Sequence, residues 1–150
     1  MTLQVFTARI GLVDRDAFDI TRKSGGPRGE VFAPSWGILA PALAEFKTAA
    51  DEIGFAGCAM DTFNGESRQR RAWWAYVPAY LAEMRFSYRH RRRAWDELLA
   101  RPRVVLLCYC PDPNRCHRTV LGAGILPRLG AEYEGEIDAD TRQMLEGFEP

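Results

Sequence analysis

The 150 residues (17.0 kDa) are 47% hydrophobic and 27% charged, the proportions of one folded domain rather than of a disordered tail, a fibre or a low-complexity scaffold. Twenty Lys and Arg offset twenty Asp and Glu, so no global cationic field draws the molecule onto nucleic acid or an anionic membrane, and any such binding is local. No window offers the ~18–20 uninterrupted apolar residues of a membrane helix, and no basic stretch precedes an apolar signal core, so the expectation is a soluble, cytoplasmic protein with no membrane partner.

One domain is expected over 1–150, with an acidic tail from about residue 138. Four cysteines are too few for a disulfide framework, and Cys108, Cys110 and Cys116 crowd together, which predicts reduced thiols. Cys58, among Phe55, Ala56, Gly57, Ala59 and Met60, reads as simple packing.

In chain order, the β-prone runs Gln4 to Arg9 and Ala17 to Thr21 predict two strands. From Arg22 to Gly29, glycine and cations concentrate in a loop able to present backbone N–H groups to an anion, although the G-x-x-x-x-G-K-[ST] order of a phosphate-binding loop is absent. Ser35 is placed to cap a helix with Trp36, Leu39, Leu43, Phe46 and Ala50 along one side, kinked or restarted at Pro41. After a glycine-bearing break at 54–65, a second helix is expected from Glu66 through Trp73, Trp74, Tyr76 and Tyr80 to the region of Pro78. A third, Arg85 to Ala100, puts Met84, Tyr88, Arg91, Trp95 and Leu98 on one stripe and Arg85, Arg89 and Arg92 on the next. Arg91 interrupts an apolar stripe there, so it must be stacked, paired or at a helix edge.

Val104 to Cys110 is apolar without alternation and ends at Pro111 and Pro113, the pattern of a central strand buried on both faces. Cys116 to Leu129 follows as a helix, with Gly122 and Gly124 suited to close packing on a sheet, and Gly130 to Ile137 adds a short strand. A strand, a loop and a helix in that order predict an α/β protein: a three-layer, Rossmann-like sandwich on a mostly parallel sheet.

In such sheets ligands bind beyond the carboxyl ends of the strands, where helix amino termini aim N–H groups at the crevice. Cys110 to Arg118 occupies that place. A thiol at a helix start among cations is expected to have a lowered pKa, which singles out Cys116 between Arg115, His117 and Arg118. His117 can move a proton near neutral pH, and Arg118 can pair with phosphate or carboxylate. Spacing removes three chemistries. A phosphatase loop requires Cys-x5-Arg, whereas Cys110 meets Arg115 after four residues and Arg118 after seven; the redox Cys-x-x-Cys and the zinc-deaminase pattern are both missing.

Zinc on Cys108, Cys110, Cys116 and His117 is an alternative with awkward geometry: along a strand Cys108 and Cys110 stand ~7 Å apart, and adjacent Cys116 and His117 point different ways from a helix start. Cys108 and Cys110 then read as small core residues, and no metal or cofactor is assigned. The arginine-rich helix, with Tyr88 and Trp95, can either bind a nucleic-acid backbone or simply be solvated.

These residues resemble the DUF488 family. The match is most specific over Val104 to Arg118, an apolar strand, a Cys, seven residues and then Cys-His-Arg before a helix (C-x7-C-H-R). Phe18-Asp19-Ile20 is similar to the family's Asp-Val-Arg segment, with Thr21 where the family often has Arg, and Met84-Arg85, Tyr88-Arg89 and Trp95 look like a branch carrying an aromatic, arginine-rich helix. The resemblance implies an α/β fold and a cluster of the early Asp, the Cys-His-Arg turn and the preceding helix; it implies no particular reaction.

The combined expectation is that Asp19, Cys116, His117 and Arg118 meet at the carboxyl edge of the sheet, with Arg22, Lys23, Tyr88, Arg89 and Arg92 around them. The ligand is anionic, a nucleotide or a nucleic-acid end, with Arg118 and Arg89 holding phosphate, Asp19 or His117 moving a proton and Cys116 acting as nucleophile or hydrogen-bonding group. The rival is a non-catalytic module that binds nucleic acid or protein around a structural Cys cluster. A viral accessory protein whose acidic tail meets a basic partner is a third reading.

Overall fold

The computed structural model describes residues 2–55 and 59–146; the packing expectation for Cys58 lies outside them. The chain divides into two compact units, one of Met1–Ala33 with Ser87–Pro150 and one of Pro34–Phe86.

The first unit holds the sheet. Its strands are β1 (Gln4–Arg9), β2 (Ala17–Asp19), β3 (Arg103–Cys108) and β4 (Glu132–Ile137), in the order β2-β3-β1-β4 with every pairing parallel. This is an α/β, Rossmann-like architecture. The predicted apolar strand is β3, flanked on both sides by other strands, with Val104, Val105 and Leu106 fully buried. It stops at Cys108 rather than Cys110, and β2 stops at Asp19 rather than Thr21. β4 carries a bulge opposite Val5 and Phe6, where Gly135 adopts φ +129, a conformation that disfavours any side chain.

The two faces of the sheet are covered by different connections. After β3, the helix that starts as α5 (His117–Thr119) continues in π form over Val120–Ile125 and in 3-10 form over Leu126–Leu129, and Gly130 at φ +100 ends it. A Cβ on Gly122 would stand 3.0 Å from Thr7 Cγ2 and 3.3 Å from Val5 Cγ1, so glycine permits this close seating; Gly124 has nothing within 4 Å, and the expectation of packing fails there. On the opposite face, Leu12 from the β1–β2 connection packs with Ala8, Val105 and Leu107, flanked by Phe6, Ile10 and Ile137. The segments leaving β1 and β3, which are adjacent strands, therefore pass to opposite faces, which makes the carboxyl ends of these two strands the switch point of the sheet.

Helix α4 (Arg92–Leu99) completes this unit. A single helix from Arg85 to Ala100 is not formed, because the backbone breaks at Arg91 (φ −125, ψ 38), which leaves Arg91 exposed at the start of α4. That break explains a cation in an apolar stripe: Trp95 and Leu98 are buried on the far side of it, and Trp95 packs edge-on against Phe32 and Tyr88. Ser87 Oγ accepts from Trp95 Nε1 (3.1 Å) and donates to the Val31 carbonyl (2.8 Å), so the buried indole N–H is satisfied.

The second unit is helical. Helix α2 (Trp36–Phe55) opens with the Ser35 carbonyl accepting from Ile38 and Leu39, and runs through Pro41. Trp36 and Leu43 are exposed, and the side turned inward is Ile38, Leu39, Ala42 and Phe46; the segment is apolar nearly all round, so its spacing does not choose a face. Helix α3 (Ala59–His90) begins before Glu66 and continues through Pro78, and only its last residues, from Ser87, belong to the first unit. Tyr76, Tyr80 and Met84 form its buried stripe, with Trp73, Tyr76 and Tyr80 stacked in series. No helix among the described residues is long and apolar enough to cross a membrane.

An ion-pair group fixes the amino end of β3. Asp14, with its side chain buried, accepts from Arg103 at 2.8 and 3.3 Å and from Arg142 at 3.1 Å, and the Asp16 N–H closes an Asx turn onto it at 2.9 Å. Arg103's hydrogen bonds hold the Asp14 carboxyl far below the ordinary carboxylate range, against the opposing effect of burial and with help from the Asp16 N–H and Arg142. A depressed carboxyl stabilises the fold above its unfolded pKa of ~4 and loses that contribution as pH falls toward the folded value. In urea titrations Asp14→Asn is expected to cost about 2 kcal/mol at pH 7 and pH 5, with the gap to wild type closing below pH ~4. A gap that stays constant into acid would show that the pair adds nothing to stability.

Candidate functional site

Everything at the carboxyl edge follows from where β3 ends. Tyr109 leaves the ladder exposed, Cys110 is half-buried, and Pro111 has no N–H with which to extend the strand. The Asp112 carboxylate accepts from the Asn114 N–H (2.9 Å) and caps a 3-10 turn, Pro113–Arg115. Cys116 then returns in extended conformation (φ −140, ψ 143) directly ahead of α5.

This path brings the thiols together. The Sγ atoms of Cys108, Cys110 and Cys116 all lie within 4.8 Å of one another, and Cys108 and Cys110 are 3.9 Å apart. The separation of ~7 Å expected along a continuous strand is absent because Cys110 is no longer in one. Nor do Cys116 and His117 diverge: with Cys116 extended rather than helical, His117 Nδ1 stands 4.0 Å from Cys116 Sγ and 3.7 Å from Cys108 Sγ. His117 Nε2 is 2.8 Å from the Ile20 carbonyl, which can only accept, so the neutral ring carries its proton on Nε2 and turns the Nδ1 lone pair toward the sulfurs.

The environment of the thiols reverses one expectation. Cys116 is almost wholly buried, and burial, followed by its thiol neighbours, pushes its pKa well above the ordinary thiol value. Hydrogen bonds from Cys108 and Cys116, joined by the Arg118 charge, pull Cys110 well below it. Three thiols in contact cannot all ionise cheaply, so the negative charge settles on the least buried of them.

Arg118 is fully buried with its imidazole neighbour. Its Nε and Nη2 grip Glu136 of β4 in a bidentate pair (3.0 and 2.7 Å), and Nη1 donates to the Cys110 carbonyl (2.8 Å). Burial opposes the charge, but the hydrogen bonds to Glu136 outweigh it and raise the Arg118 pKa. Asp19 caps its own loop: its Oδ1 accepts from the N–H (2.8 Å) and hydroxyl (2.6 Å) of Thr21, and its Oδ2 accepts from Ser24. Tyr109 donates to Ser24 Oγ (2.8 Å), and Lys23 Nζ lies 5.3 Å from the centre of the Tyr109 ring.

Asp19 and the Cys-His-Arg turn are thus joined through Ile20 and through the Ser24–Tyr109 contact, with Lys23 beside them. The remaining predicted residues have other partners. Arg22 pairs with Glu30 and donates to the Ala33 carbonyl. Arg92 lies 4.1 Å over the Tyr88 ring and pairs with Asp96, so those two belong to the Trp95 cluster, and Arg89 is exposed in the last turn of α3. Sequence reasoning missed Tyr109, Ser24 and Glu136, and set Cys110 aside as a small core residue. Thr21 and Ser24, two and five residues beyond an Asp, carried an Asx-turn signal that could have been read; Glu136 carried none.

Fold and site together define a Rossmann-like α/β protein with a buried thiol–imidazole cluster at the switch point of a parallel sheet. The family model described as the active DUF488-N3 subclade, DUF488-N3a, matches residues 7–129, and the chain belongs to that family. No curated protein and no solved structure was found to match it.

Proposed function

We propose that this DUF488-N3a protein binds and acts on an anionic ligand, a nucleotide or a nucleic-acid end, over the carboxyl ends of β1 and β3. The observation that carries the reading is the exposed pair of Lys23 and Tyr109 beyond the carboxyl ends of β2 and β3, a cation and an aromatic face suited to phosphate and base. Arg9, exposed at the end of β1 in register with Cys108, adds a second cation. Cys116, His117 and Arg118 are buried, so in this reading they shape the floor of the site by hydrogen bonding, while the half-exposed Asp19 is the group that exchanges a proton with ligand. The word "active" in the family description favours turnover over passive binding.

Equilibrium binding of a fluorescent single-stranded oligonucleotide and of mononucleotides tests the ligand class. Tyr109→Ala is expected to cost ~1–3 kcal/mol of affinity through lost stacking, and Lys23→Ala to lower the salt slope by ~1; unchanged affinity in both variants would overturn the reading. The rival, a non-catalytic binding module around a structural Cys cluster, draws on the burial of Cys108, Cys116 and His117. Asp19→Asn separates the two, since the enzyme reading requires it to stop conversion of a bound nucleotide or oligonucleotide while binding persists.

A further inference from the structure

We infer that Cys108, Cys110, Cys116 and the Nδ1 of His117 form a closed tetrahedral site for one zinc ion. The inference stands on the geometry of these four side chains and does not depend on which ligand the protein binds.

A tetrahedral zinc with Zn–S near 2.3 Å and Zn–N near 2.0–2.1 Å sets its ligand atoms ~3.8 Å apart for a sulfur pair and ~3.6 Å apart for a sulfur and a nitrogen. The observed separations are 3.9 Å for Cys108 with Cys110, 3.7 Å for Cys108 with Nδ1 and 4.0 Å for Cys116 with Nδ1. The widest sulfur pair, within 4.8 Å, must contract by no more than ~1 Å to reach that spacing. Three thiols within 4.8 Å of one another, with Nδ1 within 4.0 Å of two of them, thus need only a small rearrangement to close a tetrahedron around one ion, and three soft thiolates with one imidazole select zinc over harder cations.

The surroundings are those of a metal-bound histidine. Its other nitrogen donates to a backbone carbonyl, Ile20 O at 2.8 Å, which fixes the ring plane and presents Nδ1 as the ligand. Arg118 donates to the Cys110 carbonyl at 2.8 Å, so a cation stands beside a ligand set that would carry net negative charge with zinc bound. A disulfide satisfies this cluster less well. It would join two thiols, leave the third unpaired and give His117 no part. All four ligands come from the protein, so the site is structural: it ties the end of β3 to the start of α5 and, through Ile20, to the end of β2.

The full-length protein, produced in zinc-supplemented cells and purified with reductant and without chelator, is expected to carry one zinc per chain by elemental mass spectrometry. Cobalt(II) added to the zinc-stripped protein is expected to give the intense ligand-field and thiolate charge-transfer absorption of tetrahedral thiolate coordination. Cys110→Ser, at the least buried ligand, is expected to weaken zinc binding at least about tenfold with an unchanged circular dichroism spectrum. If that variant does not fold, the wild-type cobalt spectrum decides alone. Trace zinc, iron in its place, or a weak octahedral cobalt spectrum would overturn the assignment, and since nucleotide binding is read separately on Lys23 and Tyr109, that failure leaves the ligand reading standing.

Discussion

Gly29→Ala is expected to lower the melting temperature by ~6–12 °C, the equivalent of about 3 kcal/mol in a chain of this size. Gly29 lies in the short helix Gly26–Glu30, α1, packed onto the end of β2. A Cβ there would stand 2.1 Å from the Asp19 carbonyl oxygen and 3.2 Å from its carbon, and a carbonyl cannot rotate away as a side chain would. Gly25 shows the same close approach, 2.6 Å from the carbonyl oxygens of both Asp19 and Thr21, so the helix and the loop touch backbone to backbone. Relief of the clash means moving either α1 or the Asp19–Thr21 turn by ~1 Å, the scale at which packed interiors resist. That turn holds the Ile20 carbonyl, so the shift reaches His117 and the Cys cluster. Gly124→Ala is the matched control: it is exposed with nothing within 4 Å, and is expected to be neutral or to stabilise by ~0.4–1 kcal/mol. Equal melting temperatures for the two variants would show that α1 is not held as tightly as this contact requires.

What was legible in the sequence and what was not divides by the range of the interaction. The unbroken apolar run at Val104 to Leu107 announced a buried parallel strand because both faces of such a strand are covered, and that property is local. The short run from Gly130 to Ile137 similarly marked β4. The site depended on where elements stop. A strand reaching Cys110 would have kept the thiols apart, and a helix starting at Cys116 would have splayed it from His117; the chain instead leaves the ladder at Tyr109 and holds Cys116 extended. Terminal residues are the least determined by pattern, since a single capping bond or proline moves them. Arg91 shows the same limit in reverse: the misfit of a cation in an apolar stripe was visible, and its cause, a helix break, was one of the outcomes the misfit allowed.

The arginine of the Cys-His-Arg turn illustrates the cost of reading residue type without partner. An arginine beside a reactive-looking thiol suggests a phosphate clamp, but three N–H groups of Arg118 are engaged by Glu136 and the Cys110 carbonyl, with eighteen residues separating Arg118 from Glu136. The guanidinium acts on the cluster from behind. It braces the Cys110 loop against β4 and sets a positive charge under the thiol that ionises most readily. Exposed cations at the same edge include Lys23 and Arg9, and neither of these belongs to the motif that identifies the family.

That arrangement makes Glu136→Ala the second large effect, an expected loss of about 2–3 kcal/mol, because it strips a buried guanidinium of its carboxylate, while the 27% exposure of the Glu136 side chain keeps the loss below that of a fully buried pair. Arg118 itself is fully buried, so the penalty falls on the guanidinium, reduced by the water that enters where the partly exposed carboxylate stood. Glu136→Gln should lie between, since the amide keeps one acceptor and the shape but not the charge. The double variant Arg118→Met with Glu136→Leu separates pair energy from orphan cost: it removes both charges together and is expected to recover much of the stability lost in Glu136→Ala. Chemical denaturation of the three variants and wild type checks this ordering. If the double variant were as unstable as Glu136→Ala, the loss would come from the missing brace on Cys110 rather than from an uncompensated charge. The Arg118–Cys110 hydrogen bond would then be the contact that holds the edge of the sheet together.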